Sequence, residues 1–354
     1  MSSLQLGLAI LGGIVLLAVV VYNAWQTRRL APRTARERAE APGTVGADRV
    51  EPSLDGAAAP EEVGDDNAIE PSLAPLTLPE RKPALDALID SLVPINLEHP
   101  VSGDAVLAAL PPTRRVGSKP FAVEGLHADS GEWEPPRPGQ RYSALQAGVQ
   151  LANRAGALNQ IEFSEFVAKT QALADALGAM PDFPDMMAEV ARARELDHFA
   201  TGHDAQLAFS LRARRAAWSP GYLAQQAAAQ GFVAGALPGR MVLPAEQPHA
   251  APLLTLSFDP QAAMADDPEQ SALRSVSLAL EVTHVARSED AFARLRSVAF
   301  ALAHSMEGAV TDERGEPLGE PALDMIAEDL QRLYDALESR DLAAGSPQAR
   351  RLFS

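Results

Sequence analysis

An apolar run near the N-terminus constrains this chain more than any other feature. Residues from Leu4 to Trp25 carry no charged side chain, and five arginines follow between Arg28 and Arg38. As a helix the run is roughly 33 Å long, which is enough to cross a hydrocarbon core of about 30 Å. The sequence therefore predicts a membrane-spanning anchor within residues 1–30.

The arginines also predict the orientation of this anchor. Basic residues concentrate on the cytoplasmic side of a membrane, so we expect the N-terminus outside and everything after Trp25 in the cytoplasm. A cleaved secretory signal is the alternative, but it needs a basic region before its apolar stretch. Arg28–Arg38 are also expected to contact anionic lipid. The small residues Ala9 and Gly13 leave self-association of two anchors open.

Composition excludes several classes of function. The net charge is −17, which argues against a nucleic-acid partner because phosphate contacts need a basic surface. There is no cysteine, so disulfides, thiolate nucleophiles and cysteine-bound zinc are excluded. Phosphate-binding loops, dinucleotide fingerprints and hydrolase motifs are absent, and the histidines are scattered. We therefore predict no catalytic residue, no metal and no cofactor; an enzyme would instead need a deep pocket with convergent charged groups.

In the remainder of the chain, the same order of predicted strands and helices occurs twice after a linker. Residues 31–84 are acidic and rich in alanine and proline without periodicity, which predicts a disordered linker. A first unit is then expected at 85–202, a second at 203–341, and a flexible tail at 342–354. The two units should pack as one rigid body, because only Thr201-Gly202-His203-Asp204 separates them.

Periodicity and capping residues place the elements of both units. In the first unit, strands are predicted at 87–97, 119–124, around Trp133 and at 142–151, and helices after Ser102, at 160–177 and at 185–199. In the second unit, strands are predicted at 206–212, 240–244, 253–258 and 276–283, and helices at 220–230, 289–306 and 321–338; 308–317 reads as a strand and turn.

The fold class that follows is α+β. Each unit lacks the successive crossovers of a doubly wound sheet, so we expect a split β-α-β sandwich with an antiparallel or mixed sheet and helices on one face. The segment Val276–Val282 alternates cleanly: its valines and leucines should face the helices, while Ser277, Ala279 and Glu281 face outward. The outward face of this sheet is then open to solvent or to a partner.

This plan resembles the ZipA family of bacterial division proteins. The resemblance is carried by the anchor, the arginines and the linker, and in the second unit by Gln230-Gly231-Phe232-Val233, the strand Val276–Val282, the helix containing Ala301-Leu302-Ala303, the segment Glu307–Glu313 and the closing helix. It implies a single-pass protein of the inner membrane at the division site, with a periplasmic N-terminus. It also implies that the protein tethers the filament protein FtsZ to the membrane.

In that family the outer face of the sheet forms a groove for the C-terminal peptide of FtsZ. By strand alternation and place in the order, the residues expected to line this groove are Ala208, Ser210, Met241, Thr255, Ser257 and Ala279. Two other locations stay open: the first unit, where Leu88, Leu92 and Tyr142 could face outward, and the junction of the units. An adaptor for another cytoplasmic or periplasmic protein is the alternative function.

Overall fold

Two antiparallel β-sheets follow one another along the chain, the first within residues 90–181 and the second within residues 206–311. The computed structural model describes residues 85–246, 250–265, 267 and 271–354. The predicted anchor Leu4–Trp25, the arginines Arg28–Arg38 and the linker 31–84 lie outside the described residues. Within the described part, no helix combines the length and the apolar character that crossing a bilayer requires.

The first half of the described chain, residues 85–203, contains one seven-stranded sheet, a small hairpin and three helices within this range. The strands are β1 (Asp90–Asn96), β2 (Val101–Ser102), β3 (Arg115–Val116), β4 (Lys119–His127), β5 (Trp133–Glu134), β6 (Arg141–Gln150) and β9 (Met180–Pro181), with the hairpin β7 (Ala152–Asn153) and β8 (Gly156–Ala157). The helices are α1 (Gly103–Ala109), α2 (Gln160–Leu177) and α3 (Met186–His203).

The second half, residues 204–341, contains the six-stranded sheet. Its strands are β10 (Gln206–Ala213), β11 (Val233–Ala234), β12 (Arg240–Leu243), β13 (Leu254–Ser257), β14 (Ser275–Glu281) and β15 (Gly308–Thr311). Its helices are α4 (Pro220–Ala229), α5 (Pro260–Ala263), α6 (Ala291–Ser305) and α7 (Glu320–Glu338). A further helix, α8 (Pro347–Leu352), follows near the C-terminus.

The principal strands of the two sheets have the same order. The first sheet runs β3-β4-β6-β1-β9, and the second runs β12-β13-β14-β10-β15 with β11 added at one edge. If the five principal strands of each half are numbered in chain order, both sheets have the spatial order second, third, fourth, first, fifth. All strand pairs between the described residues are antiparallel. The prediction of an α+β fold with antiparallel sheets is confirmed.

Local sequence signals explain where the helices begin. Asn159 caps α2 in a reciprocal capping box with Glu162, and Gly178 ends the helix in a left-handed conformation. Ser219 caps α4 by accepting from the backbone of Tyr222, with proline at the first helical position. These caps satisfy backbone groups that a helix end would otherwise leave without partners.

The core of the second half lies between its sheet and α6. Val276, Leu278 and Leu280 of β14 are buried, and they alternate with residues that point away from the helix. Helix α6 packs on β10, β14 and β15 and also contacts α4. Arg296 of α6 pairs with Glu320 and Asp324 of α7, so α4, α6 and α7 lie on the same side of the sheet. We call the opposite side of this sheet the outer face.

Helix α3 extends further than the sequence predicted. The expected link Thr201-Gly202-His203-Asp204 is not a link, because α3 continues to His203 and the boundary between 202 and 203 falls inside its last turn. This turn is held by a contact between the stacked rings of Phe199 and His203 and by the burial of Ala200. Tertiary packing thus overrides the weak helix propensity of a Thr-Gly pair.

The C-terminal segment corrects another prediction, because residues 342–354 are not a flexible tail. They contain α8, and Leu342, Leu352 and Phe353 are buried. Arg351 binds Asp90 of the first half, while the carbonyl oxygen of Phe353 lies 3.0 Å from His284 Nε2 of the second half. Three apolar side chains in a short polar segment are enough to dock it, since each contributes about 1.5–3 kcal/mol when buried.

The two halves belong to one compact unit. At their junction Arg154 forms ion pairs of 2.7 Å with both Asp204 and Glu281. Arg340 lies over the ring of Phe199, with its guanidinium carbon 4.6 Å from the ring centroid. Together with α8, these contacts tie the two sheets at several separate points.

Candidate protein-binding face

The outer face of the second sheet brings together five of the six residues predicted to line a groove. Antiparallel pairing sets Ala208 opposite Ala279, and Ala279 opposite Thr255, which makes one row across β10, β14 and β13. The next row consists of Ser210, Ser277 and Ser257. All of these side chains are half-buried. The face is therefore a shallow surface of small side chains, with two rows that cross three strands.

Met241 does not belong to this face, and its prediction is wrong. It pairs with Leu256, and both side chains are buried on the helix side of the sheet. Its neighbour Val242 faces outward instead and pairs with Thr255. Successive residues of a strand point to opposite faces, so an error of one position moves a side chain to the other side.

Val242 and Val233 extend the outer face beyond the predicted positions. Val233 of the edge strand β11 pairs with Val242, and its side chain is 51% exposed. The row through Ala208, Ala279 and Thr255 therefore continues to two valines, which supply its most apolar end. Sequence reasoning missed Val233 because a two-residue strand has too short a pattern for the alternation rule to detect.

Charged residues border the two rows on both sides. Arg212 pairs with Ser275, and Arg240 pairs with Ser257, so both arginines lie on the outer face, where they are exposed. On the opposite side Gln206 donates to Glu281, whose carboxylate also binds Arg154. The ion pairs to Arg154 raise the pKa of that guanidinium, so it stays charged. The apolar row thus lies between two exposed arginines and the ion pair of Glu281 with Arg154.

The equivalent face of the first sheet is covered by its own chain. Leu92 does face outward, but Leu85 packs over the same surface: a Cβ added to Gly148, which pairs with Leu92, would lie 2.4 Å from a methyl carbon of Leu85. Glu124 is buried there and accepts hydrogen bonds from the backbone of Leu85 and from Gln146. This surface therefore offers little room for a peptide.

The other two candidates in the first half do not form a groove. Tyr142 is fully buried, and its hydroxyl donates to Glu134, so the prediction that it faces outward is wrong. Leu88 lies in the turn before β1 and lines a small depression with Arg192 and Arg340. Neither residue lies on an open sheet surface.

A buried lysine in the first half has a structural explanation. Lys119 is fully buried, and its ammonium donates to Ser118, to Asn153 and to the carbonyl oxygen of Gly156. Burial lowers its pKa, while the nearby carboxylate of Glu162 opposes that change. All three donors of the ammonium have acceptors. Lys119 therefore fastens the β7–β8 hairpin to β4.

Glu162 completes this polar cluster. Burial raises its pKa, but hydrogen bonds from Ser118 and from the backbone of Asn159, together with the charge of Lys119, outweigh that effect and leave the pKa lowered. It is held as a carboxylate by Ser118 and by Asn159, and Asn159 also caps α2. Among the described residues, no group of three or more histidine, aspartate or glutamate side chains is arranged to hold a metal ion.

Comparison with known proteins adds no relative: no protein-family model matches the sequence, and no curated protein matches it.

Proposed function

We propose that this chain is a non-enzymatic, membrane-anchored adaptor of the ZipA type, which binds the C-terminal peptide of FtsZ on the outer face of its second sheet. In this proposal the N-terminal run anchors the chain in the inner membrane with the N-terminus in the periplasm. The described residues then lie in the cytoplasm at the division site, where they connect the FtsZ filament to the bilayer.

The observation that carries the proposal is the open outer face. Ala208, Ala279 and Thr255 form its central row, and the small side chains let the backbone of a peptide approach closely. Val242 and Val233 provide apolar contacts at one end. Peptide recognition on a sheet works by burying a few apolar side chains against such a surface. The repeated order of the principal strands also supports the proposal, because it agrees with two copies of a split β-α-β unit.

The small, half-buried side chains of the face favour a weak single contact. A Kd of 1 μM corresponds to a binding free energy of about −8.2 kcal/mol. A few buried side chains can supply this free energy in addition to offsetting the entropy lost when a short peptide becomes ordered. A filament presents many copies of its terminal peptide, and a membrane presents many adaptors. Effective concentration therefore converts micromolar contacts into stable attachment.

The test is binding of a fluorescein-labelled FtsZ C-terminal peptide to the full chain in neutral detergent, followed by fluorescence polarisation. The variant Ala208→Glu places a charge in the central row and should weaken binding by about tenfold or more, which is about 1.4 kcal/mol. The matched control is Asn96→Glu, which adds the same charge at an exposed position of β1. No binding by the wild-type chain up to millimolar peptide, or equal binding by Ala208→Glu, would refute the proposal.

The membrane arrangement needs a separate measurement. A reporter that is active only in the cytoplasm, fused after Ser354, should be active, and a periplasmic reporter at the same position should be silent. The opposite result would instead place the folded part outside the cytoplasm and favour an exported adaptor.

A further inference from the structure

A second groove lies away from the outer face, at the edge of the second sheet where α6 ends. Its volume is about 900 Å³, and it is bounded by the last turns of α6, by β15 and by Pro317 and Leu318 of the returning chain. Phe300 of α6, 40% exposed, contributes an aromatic ring, and the buried side chains of Val310 and Ala303 lie beneath it at the base of the groove. The groove is therefore of mixed character, and Phe300 supplies its exposed apolar side chain.

Arginines line one side of this groove. Arg214 and Arg215 follow β10 directly, and both are exposed. Neither is within ion-pair distance of an acidic side chain among the described residues. The backbone of Ala213 bonds to that of Arg274, which brings another arginine close to the same end of the sheet. In a chain with a net charge of −17, this concentration of unpaired positive charge is unusual.

Acidic groups also lie around the groove. Glu307 and His304 also line it, and the neighbouring turn carries Asp312, Glu313 and Glu316. Asp312 is occupied by the backbone N–H of Glu316. No carboxylate of the described turn reaches ion-pair distance of Arg214 or Arg215.

The negative end of the α6 dipole is also largely screened. The carbonyl oxygens of Ser305 and Met306 accept hydrogen bonds from the hydroxyl of Tyr222 and the indole N–H of Trp218. The carbonyl of Glu307 accepts from the backbone of Arg214. With these acceptors occupied, the exposed charged groups of the groove include the side chain of Glu307 and the guanidinium groups of Arg214 and Arg215, and the two guanidinium groups favour carboxylates.

The geometry points to this groove as a docking site for a short acidic and apolar peptide segment of a partner protein, held by its carboxylates at Arg214 and Arg215 and by its apolar side chains against Phe300. A concave groove accepts inserted side chains, whereas a flat lipid surface cannot enter it, so a peptide is the occupant that the shape favours. The inference does not depend on the outer face or on its partner.

The experiment uses the full chain in neutral detergent and three fluorescein-labelled peptides in which leucine alternates with glutamate, glutamine or lysine. The glutamate peptide should bind at least about tenfold more tightly than the glutamine peptide, and the lysine peptide should not bind. Rising salt concentration should weaken binding of the glutamate peptide most, because the charges of Arg214 and Arg215 are exposed to solvent.

Variants then locate the site. The double variant Arg214→Glu/Arg215→Glu should weaken binding of the glutamate peptide at least about tenfold. The control Arg332→Glu, on α7 at a site 71% exposed, should leave the affinity for this peptide unchanged. Phe300→Ala should also weaken binding, and Met325→Ala, 63% exposed on α7, should not. Ala208→Glu should leave this peptide bound, because the outer face is a separate surface.

Each contrary result overturns the inference. Equal affinity for the glutamate and lysine peptides, no binding of the glutamate peptide at millimolar concentration, or wild-type affinity in the double arginine variant would each do so. Binding of soluble short-chain phosphatidylglycerol, lost in that variant while peptides fail to bind, would assign the arginines to lipid instead.

Discussion

The ion pair between Arg351 and Asp90 supports a quantitative prediction about the C-terminal segment. Asp90 is fully buried at the start of β1, and its two carboxylate oxygens lie 2.6 and 2.9 Å from the two terminal nitrogens of Arg351. The backbone N–H of Asp86 donates to the same carboxylate at 2.8 Å. Replacing Arg351 by methionine keeps much of the aliphatic stem and removes the charge.

The expected loss of folding stability in Arg351→Met arises because the buried carboxylate of Asp90 is left without its cation. Removing one partner of a buried pair costs about 3–5 kcal/mol. Because the side chain of Arg351 is 28% exposed, water can reach part of the site, and we expect a loss near the lower limit, about 3 kcal/mol. For a unit of this size the loss corresponds to a decrease in Tm of roughly 6–12 °C.

The pH dependence of this loss has a definite sign. Burial raises the pKa of Asp90 above its ordinary value of 3.8, against the opposing effects of Arg351 and the backbone of Asp86. A carboxyl group whose pKa is higher in the folded than in the unfolded protein stabilises the fold fully at pH values below its unfolded pKa. This contribution is lost as the pH rises through its folded pKa. Without Arg351 the folded pKa rises further. The difference between wild type and Arg351→Met should therefore be largest at neutral pH and shrink as the pH falls.

The assay is urea unfolding of residues 85–354 at pH 7 and pH 5. Arg350→Met on the same helix is the matched control, because Arg350 forms no ion pair among the described residues and should change stability by less than about 0.5 kcal/mol. If Arg351→Met is no more destabilising than Arg350→Met, or if its effect grows toward acid pH, then the buried pair does not hold the C-terminal segment as argued.

Three further substitutions test the interior of the described chain, each measured by urea unfolding. Lys119→Met should cost on the order of 3 kcal/mol, because it removes the hydrogen bonds that this buried ammonium donates to Asn153 and Gly156; a neutral result would refute the structural role of this lysine. Gly103→Ala should destabilise strongly, since its Cβ would lie 1.8 Å from the carbonyl oxygen of Arg137. Gly202→Ala, with no neighbour within 4 Å inside α3, should instead stabilise by up to about 1 kcal/mol, and a loss of stability there would contradict the extended helix.

Elements with strong local signals could be predicted closely from the sequence. Helix α2 was expected at 160–177 and has these bounds, because a capping residue, an apolar stripe and a terminal glycine all agree. The alternation of β14 also predicted which of its side chains would be buried. In both cases the signal repeats over several residues, so no contact from elsewhere in the chain is needed to read it.

Predictions failed where a partner distant in sequence decides the outcome. The four residues of β12 include three adjacent apolar side chains, so only the pairing with β13 shows that Met241 is buried and Val242 faces outward. Likewise, nothing local indicates that Arg351 finds a buried aspartate more than two hundred residues earlier. The sequence could place most of the candidate face, but which residues form its most apolar end depended on the register between neighbouring strands.

The two halves share a strand order, yet only one presents a free sheet face, and the reason lies in how the described chain begins and ends. Leu85 enters over the face of the first sheet, and Arg351 of α8 binds Asp90 at the start of β1. The first half is thereby used to secure both ends of the folded region. If the proposed function is correct, a pull transmitted through the residues before Leu85 acts on the first sheet, while the partner is held on the second. The bridges of Arg154 and of α8 would carry that load between the two sheets, because they connect the half that secures the chain ends to the half that presents the open face.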